Sequence, residues 1–170
     1  MAVKRVYWDS CAWIGLIRGE ADKITACQYV LDEAAAGRIQ VWTSALSLAE
    51  VFKVKCGGET ATLPADKDPV FGDFLSKEYI VRVSVTVEIA TFARTLLRQC
   101  IKKPNDAIHV ATAALLNLDE LHTYDEKDIL PLNGMIKRAD GELLKIMRPP
   151  EPPPGTKMPL LEAKKADAAS

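Results

Sequence analysis

Apolar positions along the chain fall into blocks whose spacing changes from one segment to the next. Residues 4–9 are a short, mostly apolar run that predicts a strand ending at Asp9. Helical spacing follows within 10–18 and 21–36, with Gly37 placed to close the second helix. A second strand is expected at 39–43. After it comes a helix to about Lys55, stopped by Gly57-Gly58. "GGETATLPADKDP" reads as a loop, with a short helix near 70–76. The β-branched run "YIVRVSV" predicts a strand at 79–85. Ile89, Phe92, Ala93, Leu96, Leu97, Cys100 and Ile101 recur at helical spacing. "KKPNDAIHVATAALLNL" starts another helix at 104–106 with an apolar stripe of Ile108, Ala111, Leu115 and Leu118. Short strands near 120–124 and 143–147 complete the series.

Strands alternating with helices predict an α/β fold. Its central, mostly parallel sheet of four to five strands is covered on both faces as a three-layer α/β/α sandwich. One domain is expected over 1–147. From Arg148 the segment "RPPEPPPGTKMP" holds six of the ten prolines, so 148–170 is expected to be an extended, mobile tail.

Composition narrows the function classes. At 48% apolar and 26% charged, the chain is an ordinary globular sequence, and its net charge of −1 excludes a wholly basic nucleic-acid binder. No apolar run reaches the ~20 residues of a membrane span, and the first residues lack a signal-peptide layout, so the expected location is the cytoplasm. Four cysteines without a C-x-x-C pair, and only two histidines, argue for buried free thiols over zinc or disulfides. Charge is nonetheless uneven. Residues 89–105 contain no acid but carry Arg94, Arg98, Lys102 and Lys103. Arg94, Arg98 and Lys102 recur every four residues, as one helical ridge that either tracks RNA phosphates or is simply solvated.

Candidate chemistry begins at "VYWDSCAWIGLI", where Asp9 sits between apolar runs and an unpaired buried charge would be costly. In an open α/β sheet, strand C-termini and helix N-termini share one edge, where ligands bind. Asp9 ends the first strand, and Glu50 lies in the helix after the second. Asp106 opens a late helix, and Asp125 follows the fourth strand, so four acids converge. Two carboxylates 4 Å apart oppose each other by about 4 kcal/mol at an effective dielectric of 20. Mg2+ or Mn2+ suits such an all-oxygen set, and either ion can activate water against a phosphodiester.

Three of these four acids, and Asp128 beside them, also have plain structural readings. Glu50 could close a capping box with Ser47, Asp106 could favour a helix dipole behind an Asn105 cap, and Asp125 and Asp128 could be loop residues. A helix starting at Ser44 would carry Glu50 about 9 Å from its first turn, which a start at Ser47 avoids. His109 reads as a residue supporting the acids or packing the core. Trp8, Trp13 and Trp42 either stack bases or fill the core. The loop from Gly57 to Pro69 is either a lid, a partner surface or a plain linker.

"VYWDSCAWIGLI", "SALSLAEVFK", "PNDAIHVATAAL" and "HTYDEKD", in this order and spacing, resemble the PIN domain of metal-dependent ribonucleases. The likeness is greatest to small VapC-type toxins of toxin–antitoxin pairs and spans about residues 3–147. It implies endonucleolytic RNA hydrolysis with Mg2+ or Mn2+. Asp9, Glu50, Asp106 and Asp125 would be the catalytic and metal-binding acids, with Asp128 a further ligand through water. Ser10 and Thr123 match hydroxyl positions that support the acids. The resemblance also implies an antitoxin partner and a homodimer. Two other functions compete. A haloacid-dehalogenase-type phosphohydrolase would need D-x-D, but the chain has Cys11 at the second position. A non-catalytic PIN-like module would bind RNA or protein without cutting.

Overall fold

The computed structural model describes residues 3–56 and 59–159, with the side chains of 53–61 outside that description. Five parallel strands form the main sheet in the order β5-β2-β1-β6-β7. They are β1 (Lys4–Trp8), β2 (Ile39–Ser44), β5 (Ile80–Val83), β6 (Glu120–His122) and β7 (Lys145–Met147). β1 lies at the centre, registering Val6 with Val41 of β2 and with Glu120 of β6. Its Val6, Tyr7 and Trp8 are fully buried, as expected of a strand covered on both faces.

Side chains alternate across β1. Val6 and Trp8 join one core with α1 (Ser10–Arg18), α2 (Ile24–Ala35) and α4 (Asp68–Leu75). Tyr7 joins the other, with α5 (Val87–Gln99) and α6 (Pro104–Leu115). This is the expected three-layer α/β/α arrangement. Gly37 has φ 75, the left-handed conformation that closes α2 and that a Cβ would disfavour.

Several sequence expectations need correction. The helix after β2 does not reach Lys55. α3 spans only Ala45–Glu50, and an antiparallel hairpin of β3 (Lys53–Cys56) and β4 (Glu59–Thr62) follows it. Part of the expected loop is therefore strand, and Leu63 beyond it is buried in the core. α5 stops at Gln99, so Lys102 lies off the ridge that carries the exposed Arg94 and Arg98. Ile101 remains buried, whereas Cys100 is exposed. Trp8 and Trp13 are core residues in edge-to-face contact, unavailable for stacking bases. Beyond β7, Pro149 and Met158 are buried, and Arg148 pairs with Glu126. No helix among the described residues is long and apolar enough to cross a membrane.

Candidate active site

The strand ends β1 and β6 and the start of α6 deliver acids to one edge of the sheet. Asp9 follows β1 as the N-cap of α1, where Oδ1 accepts the Ala12 N–H at 3.0 Å. Its Oδ2 accepts the Thr123 hydroxyl. Only 2% exposed, Asp9 has its pKa pushed up to about 6 by burial, against the opposing pull of His109, Thr123 and the Ala12 amide. Thr123 Oγ1 also accepts the Asp125 N–H at 3.0 Å, so one hydroxyl joins two of the expected acids.

Asp125 anchors its own loop. Its Oδ1 accepts the N–H groups of Lys127 at 3.0 Å and Asp128 at 2.8 Å, turning Asp128 back toward α6. Asp106 meets them from the first turn of α6. Ligand oxygens of Asp106, Asp125 and Asp128 lie within 4.8 Å of one another. Burial raises the Asp106 pKa, Asp125 and Asp128 raise it further, and Lys103 opposes them. Asp106 Oδ2 is buried and has no hydrogen-bond partner among the described residues.

Glu50 arrives from α3, which starts after Ser44. Ser47 instead receives a hydrogen bond from Thr43, so the capping box with Glu50 is not formed. The helix carries Glu50 across the sheet edge to α1 and α6. Its Oε1 accepts from Asn105 Nδ2 at 2.6 Å, and its Oε2 accepts the Ser10 hydroxyl and lies 2.6 Å from His109 Nε2. The opposite face of the His109 ring puts Nδ1 2.7 Å from the Tyr7 hydroxyl. Burial would raise the Glu50 pKa, but His109, Ser10 and Asn105 together hold it below the usual value.

Ser10, Cys11, Glu50, Asn105, Asp106 and Asp125 share the wall of one cleft of about 1010 Å3. The expected acids are therefore arranged in tiers. Asp106 and Asp125 cluster with Asp128, Glu50 lines the same cleft, and Asp9 lies buried beneath, tied to Asp125 through Thr123. Arg94 and Arg98 stand on the exposed surface of α5.

Sequence reasoning missed three polar residues here. Tyr7 is hidden in an apolar run, and nothing local marks its partner 102 positions away. Asn105 serves Glu50 instead of capping α6, whose N-cap is Lys103. Lys103 was visible only as one basic residue among several. It pairs with Asp128, and its Nζ lies 3.7 Å from Asp106 and 4.0 Å from Asp125.

The family profile described as "PIN domain" matches residues 6–130. The chain belongs to the PIN-domain family. Solved structures with a similar fold include VapC20 from Mycobacterium tuberculosis, described as a Sarcin-Ricin loop cleaving toxin. It is 14% identical with a TM-score of 0.54, covering 71% of this chain and 89% of its own. A toxin–antitoxin complex from Klebsiella pneumoniae is similar at 23% identity and TM-score 0.57, covering 86% and 99%. VapBC2 from Rickettsia felis, bound to a DNA fragment from its promoter, is similar at 16% and 0.50, covering 71% and 88%. No curated protein matches this PIN domain in sequence.

PIN nucleases typically use divalent metals, and the donor set here suits one. It is all oxygen, three carboxylates are close enough to share an ion, and the buried Asp106 Oδ2 lacks a hydrogen-bond donor.

Proposed function

We propose that this PIN domain is a Mg2+- or Mn2+-dependent endoribonuclease that hydrolyses RNA phosphodiester bonds, and that it is the toxin of a toxin–antitoxin pair acting in the cytoplasm. The observation that carries the proposal is the clustering of Asp106, Asp125 and Asp128, at a cleft whose wall Asp106 and Asp125 share with Glu50. Those acids come from α3, α6 and the loop after β6, three separate segments of a PIN fold. The toxin assignment is supported by the relatives above, two of which are described as toxin or toxin–antitoxin structures. The family resemblance adds an antitoxin partner and a homodimer to the proposal.

In this reading, Asp106 and Asp125 hold the ion directly, with Asp9, Glu50 and Asp128 completing its surroundings. The ion would supply an activated water and offset the charge that develops on the phosphate and leaving oxygen. The chain's own residues do the positioning. Thr123 fixes Asp9 against Asp125, and the 3.0 Å Asp9–Ala12 cap ties both to α1. Ser10, Asn105 and His109 hold the Glu50 carboxylate in one rotamer, so no reorganisation is needed when RNA arrives. Arg94 and Arg98 on α5, and Lys102 beyond it, are proposed to contact RNA phosphates, which would make binding salt-dependent.

Incubation of the purified protein with structured and single-stranded RNA tests the proposal. Internal cleavage with Mg2+ or Mn2+, abolished by EDTA and by Asp106→Asn, is expected. Cleavage that persists in EDTA or in the variant would remove the metal-dependent reading. Binding of RNA with no cleavage under any metal condition would favour the non-catalytic module.

A further inference from the structure

Lys103 is the residue immediately before Pro104, and a proline confines its predecessor to extended backbone. Lys103 has φ −105 and ψ 133, which launches its side chain from the very start of α6. From there the ammonium reaches the oxygens the acid cluster has left over. Asp125 Oδ1 is taken by two backbone N–H groups, and it is Asp125 Oδ2 that lies 4.0 Å from Lys103 Nζ. Asp128 Oδ2 is paired with Lys103 outright. Asp106 Oδ2 is 3.7 Å away, in ion-pair range but without a hydrogen bond.

The lysine is therefore engaged unevenly. It hydrogen-bonds Asp128 alone and leaves Asp106 and Asp125, which line the cleft with Glu50 and Asn105, for another cation. Charge balance agrees. One ammonium and one divalent ion neutralise three close carboxylates, whereas a second divalent ion would have to sit against the ammonium.

We propose that the Lys103 ammonium is the second cation of this site, so that the chain takes up one divalent ion and not two. The inference rests on the metal-dependent reading above. Lys103 acts through the acids as a positioning residue that sets metal stoichiometry.

Calorimetric titration of Mn2+ into the EDTA-stripped full-length protein tests it, with thermal unfolding as the check on folding. One ion per chain is expected for the wild type and for Lys103→Arg, which keeps the charge. Two are expected for Lys103→Met and Lys103→Gln. The Lys103 side chain is 55% exposed, so both neutral variants should fold. Two ions in the wild type, or one in both neutral variants, would overturn the proposal while leaving metal dependence intact. No binding by any of the four proteins would instead overturn the metal-dependent reading, and this proposal with it.

Discussion

His109 Nε2 lies 2.6 Å from Glu50 Oε2, and the same ring is held from behind by the Tyr7 hydroxyl at 2.7 Å. Both ring residues are buried, so Glu50 is backed by a polar chain that reaches into the central strand. Hydrogen bonds to charged groups contribute about 1.5–3 kcal/mol. His109→Leu should therefore lower stability in urea unfolding by about that amount and reduce RNA cleavage at least roughly tenfold. His109→Gln, which keeps a donor, should recover part of the cleavage. Equal cleavage by His109→Leu and wild type would show that Glu50 does not depend on this chain.

Asp106 is held in a cluster that disfavours its charge, since burial and two neighbouring carboxylates raise its pKa. A raised carboxylate pKa means the folded state prefers the neutral form. Asp106→Asn should therefore raise the Tm of metal-free protein while cleavage falls at least roughly a hundredfold, a trade of function for stability. Mn2+ should raise the Tm of the wild type and leave that of the variant nearly unchanged. A lower Tm for metal-free Asp106→Asn would contradict the account.

A second charge cluster is built on β6. Glu120 is 3% exposed and pairs with Lys4 at 2.8 Å, Lys145 at 2.6 Å and His122 at 2.9 Å. Burial alone would raise its pKa, but these partners outweigh burial and hold it far below the usual glutamate range. Its contribution is thus complete above that ordinary value and is lost as pH falls toward the depressed one. Glu120→Gln should cost about 1–3 kcal/mol at pH 7. It should also flatten the fall of stability below the ordinary glutamate range. An unchanged slope would mean that other carboxylates control acid unfolding.

Gln28 on α2 is fully buried, and neither atom of its amide has a hydrogen-bond partner among the described residues. Burying a polar group without a partner costs about 1–3 kcal/mol. Gln28→Met keeps nearly the same shape and should raise stability by about 1 kcal/mol or more, read as a shift of the urea midpoint at constant slope. A destabilised variant would show that the amide has a partner in solution.

Legibility in the sequence followed how local each determinant is. Asp9 could be placed at a strand end because its apolar neighbours are adjacent to it. Asp106 could be placed because Pro104 and the stripe after it mark a helix start. The β3–β4 hairpin is not legible because "VFKVKC" continues a helical-looking segment. In sequence, Gly57-Gly58, which lies outside the described residues, suits a helix stop and a hairpin signal equally. Glu50 was legible as an acid of the site but not in its path, since six residues of α3 carry no periodicity that fixes a direction. The supports from Tyr7, Asn105, His109 and Lys103 depend on contacts between distant segments. Only the fold brings those together.

The proposed activity depends on a divalent cation held by this acid cluster. Diffraction from crystals soaked in Mn2+, read through the anomalous signal of the metal, tests it most directly. The account predicts a peak bonded to carboxylate oxygens of Asp106 and Asp125, and none for Asp106→Asn crystals treated in the same way. No peak in that cleft, or a peak that survives the substitution, would contradict it.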